Sequence, residues 1–332
     1  MRARLLVTLG LVAASALALA GGATAGNGGF SPVAPRSANG DRIDAVYWFI
    51  FGCTAAIFVL VETALVVFIL RFRSRGRSRE VEGPQIRGHV RLELAWTAVP
   101  VLILAAIATF TFYKLPGIKD IPKAGATGGQ LQAKVEGRQF YWEITYPNGV
   151  IDVNRLRAPV GQPVQLEVTA PESDVIHSWW VPELGGKLDA VPGRENHTWF
   201  EAQRPGVWEA KCAEFCGIQH AAMLGTVEAM PASEFERWLS DERRAQTEGS
   251  SDLGARTFAG ACANCHGAQG HGGIGPDIAG SGVIKDRKAL GDIVEHGRNL
   301  MPPVGHNWPD RQKDALFAYL NKSIAKGSSG GG

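Results

Sequence analysis

Three kinds of hydrophobic pattern succeed one another along the chain. Near the N-terminus the apolar residues come in long unbroken runs. Ala45 to Leu70 carries Glu62 as its only charge, and Leu94 to Tyr113 follows as LAWTAVPVLILAAIATFTFY. At about 1.5 Å of helical rise per residue, each run reaches or exceeds the roughly 30 Å hydrocarbon core of a bilayer. Both are predicted to span a membrane, the first with some tilt. Pro100 inside the second run is tolerable in a membrane helix whose neighbours satisfy the freed carbonyl. An earlier apolar stretch, Leu5 to Ala20, is shorter. It follows Arg2 and Arg4 and precedes Ala23-Thr24-Ala25, the layout of a secretory signal peptide over residues 1–25. An uncleaved anchor helix is the alternative. Residues 26–42 are rich in Gly, Ser, Pro and Asn and predict a flexible leader to a helix hairpin over 43–114.

Beyond a Gly/Pro linker at 115–129 the period changes to two. LQAKVEG, RQFYWEITY, VQLEVTA, NHTWFEA and GVWEAKC alternate as half-buried strands do, and Asn148-Gly149 is a hairpin-turn signal. Residues 129–230 therefore read as a compact all-β sandwich or barrel. Helical pattern returns in SEFERWLSDERR, giving a helix over 231–245, then a polar linker over 246–252. A second soluble unit, 253–324, has helical signals at both ends, LGARTFAGAC and DRQKDALFAYLNKSIA, and a flexible tail at 325–332 follows. The fold class is multi-domain: a two-helix transmembrane hairpin, an all-β sandwich and a small all-α domain.

Charge adds orientation. The segment between the two apolar runs carries seven arginines, and the positive-inside rule puts it in the cytoplasm. Both termini and both soluble domains then lie outside, in agreement with an export signal. The formal net charge of +2 carries no electrostatic signature of nucleic-acid binding. Glu62 lies mid-span, where a bare charge is costly. Burial against a partner subunit is the expectation, with proton handling as the alternative.

Cysteines add chemistry. Cys53 sits in an apolar run; the other four form two close pairs, Cys212/Cys216 and Cys262/Cys265. Close pairs accompanied by His point to cofactor attachment more than to a disulfide framework. The first pair stands in CAEFCGIQHAAM. A disulfide would leave His220 and Met223 unexplained, and zinc has little use for a thioether. Thiolate with imidazole and a weak Met is the ligand set of a copper electron-transfer site on a β-sandwich. Two thiolates let a second metal share them, and a second imidazole must then come from elsewhere. His177, in VIHSWWVPELGGKLDAVPGR at the end of a predicted strand, is the candidate; alone it would read as a structural histidine.

The second pair stands in ACANCHG, whose C-x-x-C-H is the signature of c-type haem attachment. Cys262 and Cys265 would form the thioether links and His266 the proximal ligand. Met301, in NLMPPVG, is the candidate distal ligand, and a Met/His pair suits electron transfer at relatively high potential. His271, His296 and His306 read as surface or loop residues, with His271 the nearest rival ligand. The whole unit resembles a small class I cytochrome c domain.

Over residues 43–245 the chain resembles subunit II of the haem–copper oxygen reductases, the cytochrome c oxidases. The resemblance rests on the two long motifs around His177 and Cys212. It implies a cupredoxin-like sandwich holding a dinuclear copper A centre. Cys212 and Cys216 would bridge two copper ions. His177 and His220 would be terminal ligands, Met223 a weak ligand, and Glu214 a ligand through its carbonyl. The Glu214 side chain would also reach a magnesium ion shared with subunit I. Glu93, at the start of the second span, matches a glutamate at the mouth of a proton channel in some members; an ordinary helix-start carboxylate is the alternative. RQFYWE matches an aromatic electron path, here Phe140, Tyr141 and Trp142. The family has Trp where this chain has Phe140, which argues against direct entry from a soluble donor there.

With the fused haem domain, the resemblance implies the electron-entry subunit of an oxidase in a bacterial plasma membrane. Electrons would pass from an external donor to the chain's own haem, to the copper pair, and on to subunit I, where O2 is reduced to water with proton pumping. The chain itself would carry no catalytic residue. Its partners would be subunit I, subunit III, membrane lipid, and an upstream quinol–cytochrome c reductase or small electron carrier. Two other readings stay open: a subunit of a nitric oxide reductase with the same copper centre, and a membrane-anchored carrier without a fixed catalytic partner.

Overall fold

The apolar runs form two long helices, α1 (Ala38–Phe72) and α2 (Val90–Lys119). Each contains an apolar window long enough to cross a membrane, with mean hydropathy 2.5 and 2.0 and no side chain of either window buried. Residues 41–119 make one unit, and residues to 40 and from 120 onward make the other. The computed structural model describes residues 32–73, 85, 87–122 and 130–325. The expected signal peptide, most of the arginine-rich loop and nearly all of the C-terminal tail lie outside the described residues. In the helical unit Phe49 stacks on Phe110, with centroids 4.4 Å apart. Pro100 and Pro116 both sit within α2, which runs on to Lys119, so the start of the expected 115–129 linker is helical. Glu62 is exposed on α1.

The alternating segments build a sandwich of two five-stranded sheets, ordered β3-β2-β1-β5-β8 and β4-β10-β9-β6-β7. The first contains β1 (Leu131–Arg138), β2 (Tyr141–Thr145), β3 (Ile151–Val153), β5 (Val164–Thr169) and β8 (Asn196–Phe200). The second contains β4 (Arg155–Pro159), β6 (His177–Trp180), β7 (Leu188–Ala190), β9 (Gly206–Cys212) and β10 (Leu224–Met230). Alternation decides which side chains meet between the layers. Val135, Ile144, Leu156, Leu166, Val168, Trp179 and Val227 are buried together, and a one-residue slip in any strand would turn its set outward. Gln139 and Phe140 make the turn between β1 and β2, where Arg138 faces Tyr141.

Two expectations of looseness are corrected. The described part of the 26–42 leader is not free. Ser37 and Asn39 are buried, Ser37 Oγ donates to the Leu184 carbonyl at 2.6 Å, and Asn39 Nδ2 donates to the Trp199 carbonyl at 2.6 Å. Small polar residues read as linker, yet they satisfy backbone carbonyls that the sandwich leaves open. The 246–252 linker is ordered as well. Helix α3 (Ala232–Glu248) runs into its first residues, and Gly249 closes the helix at φ 72°. Gln246 is buried, its Nε2 donating to the Ile151 carbonyl at 2.7 Å and its Oε1 accepting from Ile151 N at 3.2 Å. A polar side chain that completes another strand's hydrogen bonds looks in sequence like one facing water.

The C-terminal unit is helical. α4 (Leu253–Thr257), a wide turn at 258–262 and α5 (Ala263–His266) form one continuous stretch, followed by α6 (Arg287–His296) and α7 (Asp310–Tyr319). Asp286 caps α6 by accepting from Lys288 N and Ala289 N, the expected use of an Asp before a helix. Phe258, Leu290, Val294, Leu316, Leu320 and Ile324 form its core, and Tyr141 and Val153 of the sandwich belong to the same cluster.

α4 meets α7 at Gly254, where an added Cβ would lie 2.0 Å from the Ala315 carbonyl oxygen. Backbone cannot yield there as a flexible side chain would. Gly254→Ala is therefore expected to destabilise the helical unit by at least about 1–3 kcal/mol, the usual range of overpacking. Chemical denaturation followed through Trp308 of this unit reads this, and an unchanged midpoint would contradict the close approach.

Candidate metal centres

His177 opens β6 and Cys212 closes β9, and antiparallel pairing of the two strands sets Trp179 opposite Cys212. Two backbone hydrogen bonds then fix where the following loop starts: Cys212 N donates to the Met223 carbonyl at 3.2 Å and Ala213 N to the Ser178 carbonyl at 2.9 Å. The loop 213–223 thus leaves and returns at one end of the sandwich. It carries every remaining member of the expected ligand set. Cys212 Sγ lies 3.9 Å from Cys216 Sγ, 4.0 Å from His177 Nδ1 and 3.2 Å from the Glu214 carbonyl oxygen. Cys216 Sγ lies 3.6 Å from His220 Nδ1 and 3.8 Å from Met223 Sδ. The six candidates therefore converge. The sulfur separation is far beyond the roughly 2.05 Å of a disulfide. Two thiols, two imidazole nitrogens, a thioether and a carbonyl fit soft, copper-type coordination.

The surroundings prepare these donors. His177 is fully buried, and its Nε2 is 3.0 Å from Asp174 Oδ1. That contact places the imidazole proton on Nε2 and turns the bare Nδ1 toward sulfur. Burial would lower the His177 pKa, but the hydrogen bonds to Asp174 and Cys212 raise it overall. Hydrogen bonding from Cys216 draws the Cys212 thiol down to about 3 against the opposing effect of burial. The same hydrogen bond, then burial and the charge on Cys212, push Cys216 up. The pair is therefore biased toward ionising at Cys212 first.

Asp174 and Gln139 were not singled out by the sequence. Asp174 Oδ2 accepts from Gln139 N at 3.1 Å, and Gln139 Nε2 donates to the Cys216 carbonyl at 3.0 Å. Together they tie the β1–β2 turn to both halves of the site. An Asp three residues before a ligand His was the signal available. Phe140 is buried against Gly217, where a Cβ would meet its ring at 3.0 Å and φ is 130°. Trp142 packs edge-on against Trp179 and His177, with centroids 4.9 and 6.1 Å away. Tyr141 points the other way, into the helical unit, and donates to the Val304 carbonyl at 2.7 Å. The three consecutive aromatics therefore do not form one file.

In the helical unit Cys262, Cys265 and His266 share the α4–α5 stretch. His266 is buried, and its Nδ1 lies 2.8 Å from the Pro276 carbonyl oxygen. That carbonyl can only accept, so the proton sits on Nδ1 and Nε2 is left free to bind iron. Gly275 lies flat against the ring, where a Cβ would come within 3.0 Å of it. Burial pushes the Cys262 thiol up to about 12, so it stays neutral. Met301 is half-buried and packs against the core of the same unit. His271, His296 and His306 each face a carboxylate, at 3.4 Å (Asp277), 3.3 Å (Asp292) and 3.3 Å (Glu295). The residues present fit a c-type haem.

Three family models match the chain: cytochrome c oxidase subunit II, transmembrane domain (residues 29–113); cytochrome c oxidase subunit II, periplasmic domain (150–230); and cytochrome c oxidase, cbb3-type, subunit III (250–320). The chain is 34% identical to cytochrome c oxidase subunit 2 of Alkalihalophilus pseudofirmus over 305 residues, covering 82% of this chain and 86% of that protein. It is 32% identical to the Cereibacter sphaeroides subunit 2 over 295 residues, covering 74% and 92%. The solved periplasmic domain of subunit II from Bradyrhizobium japonicum is 31% identical, covers 37% of this chain and 97% of its own, and superposes with a TM-score of 0.34.

The chain belongs to the cytochrome c oxidase subunit II family. It is a membrane-anchored subunit II with a C-terminal cytochrome c domain, and it works with the other subunits of an oxidase. The nitric oxide reductase and free-carrier readings are not favoured, because the relatives are named as oxidase subunits. Other expected residues of this subunit II have local contacts. Glu93 accepts from His89 N at 3.0 Å and so caps α2. Glu214 is half-buried within the loop.

Because Asp174 fixes the tautomer of His177, Asp174→Ala is expected to weaken copper binding roughly 10- to 100-fold, as loss of a ligand's supporting partner does elsewhere. Competition with a chelator of known affinity measures it. Unaltered affinity would show that His177 is held by packing alone.

Proposed function

We propose that this subunit is the electron-entry arm of its oxidase. An external one-electron carrier delivers to the haem unit, the copper unit receives from it, and the catalytic subunit receives from the copper unit and reduces O2 to water with proton pumping. The convergence of Cys212, Cys216, His177, His220, Met223 and the Glu214 carbonyl at one end of the sandwich supports this most directly. Cys212, Cys216, His177, His220 and Met223 would hold copper, which would supply one-electron transfer there. The chain's residues do the rest. Asp174 sets the His177 tautomer, Met223 and the buried sandwich keep water from the sulfurs, and Gly217 with Phe140 holds the loop's shape.

Covalent attachment of haem c at Cys262 and Cys265 belongs to the same reading. His266 would bind iron through Nε2, the Pro276 contact holding its ring, and Met301 would be the opposite ligand. The Glu214 carboxylate would share a magnesium ion with subunit I. The arginine-rich segment between α1 and α2 supports a cytoplasmic loop in a bacterial plasma membrane, with both termini and both cofactor units outside. Glu93 stands at the same cytoplasmic end of α2, which is the support for a role at a proton-channel mouth.

Metal and haem analysis of the purified complex tests this reading. Copper in pairs and covalently bound haem per subunit II, with oxygen uptake, are expected. In Met301→Ala the low-spin Met/His spectrum should vanish while the haem stays attached. Survival of that spectrum would remove Met301 as a ligand, and a complex without copper would remove the reading as a whole.

A further inference from the structure

The two cofactor-holding motifs, far apart in sequence, are joined by one side chain. Gln219 stands next to His220 in the copper loop, and its Nε2 donates to the Asn264 carbonyl at 3.1 Å. Asn264 lies between Cys262 and Cys265. A covalent path therefore runs from the His220 ring through the backbone to the Gln219 amide. It crosses a single hydrogen bond and continues along the backbone to Cys265.

The contact is set by a buried polar seam beside it. Tyr141 donates to the Val304 carbonyl at 2.7 Å and accepts from Trp308 Nε1 at 2.9 Å. Gln312 Nε2 donates to Glu143 Oε2 at 3.0 Å, and Arg138 Nη1 donates to the His306 carbonyl at 2.7 Å. On a second flank Arg256 reaches Asp152 at 3.1 Å and Glu242 at 2.6 Å. Arg138, Tyr141, Glu143, Asp152 and Gln312 are all buried. Opening such a seam would strand several buried charged or polar groups at once without partners. The haem unit is thus fixed on the sandwich, and the Gln219 contact is held at one length.

From this geometry we infer that Gln219 is the positioning residue that couples the haem and copper centres, its amide providing the bonded bridge for transfer between them. The inference rests on the reading above that the two motifs hold haem and copper. The step moves one electron and no proton: the haem iron passes from ferrous to ferric and the copper pair is reduced by one electron, with no bond made or broken. An amide is suited to this, being neutral whichever centre holds the electron. The acceptor is a backbone carbonyl, so the exposed Asn264 side chain does not define the bridge.

Gln219→Met keeps the side chain's length and removes its donor. In the purified complex, transfer from photoreduced haem to copper is expected to slow several-fold. Pulsed EPR between the ferric haem and the oxidised copper pair should give the same single, narrow distance as the parent, with both optical spectra unchanged. Gln219→Leu should act in the same direction. Parent rates in both variants would overturn the inference. So would slowing accompanied by a displaced distance, which would reduce Gln219 to packing, or a broad distance distribution in the parent. Absence of copper or haem would appear in the metal analysis before any kinetics, and would overturn the underlying reading instead.

Discussion

Two cysteine sulfurs held 3.9 Å apart and unbonded are the constraint from which the rest of the soluble structure follows. Left in a flexible loop in an oxidising compartment, such a pair would close into a disulfide. Here the separation is maintained by strand pairing. β9 delivers Cys212 to the end of the sheet, the Cys212–Met223 backbone bond closes the loop base, and Gln139 holds the Cys216 carbonyl. The sheet register, the β1–β2 turn and the glycine at 217 all serve one short distance. The same framework buries His177 and lends it Asp174, so the donors are oriented before any metal arrives.

A second constraint governs the relation of the two soluble units. The sandwich does not end at its own surface: Tyr141 and Val153 complete the core of the helical unit, and Gln246 completes the hydrogen bonds of β3. Burial pushes the Glu143 carboxyl up, while Arg138 and Gln312 act in the opposite direction. Its partners come from both units, so neither unit satisfies it alone. A tethered donor would search for its acceptor. A docked one is held at a fixed distance by the contacts between the two units.

Much was legible in the sequence. Long apolar runs, period-two strands and the paired-cysteine motifs depend on local pattern and on fixed spacing, so the membrane helices, the sandwich and both cofactor motifs could be read directly. Some signals were ambiguous for a physical reason. Glu93 caps its helix through His89 N, which the pattern alone could not separate from other uses of an interfacial carboxylate. Ser37, Asn39 and Gln246 are polar yet buried, because a polar side chain that replaces a missing backbone partner has the same letter as one that faces water. Phe140, Tyr141 and Trp142 were contiguous in sequence, but the turn and strand send them to three different environments.

By itself the sequence determined the kinds of donor present: two sulfurs, two imidazoles and a thioether around one loop, and C-x-x-C-H with a later methionine in the helical unit. It also determined which stretches are apolar enough for a bilayer. Only the tertiary structure decided the distances among those donors, the His177–Asp174 pairing, and the docking of the helical unit through the Tyr141–Trp308 seam and the Gln219–Asn264 contact. Spacing within one loop is set by chain geometry and survives in the sequence. Contacts between residues tens to more than a hundred positions apart depend on strand register and complementary packing, which no local pattern encodes.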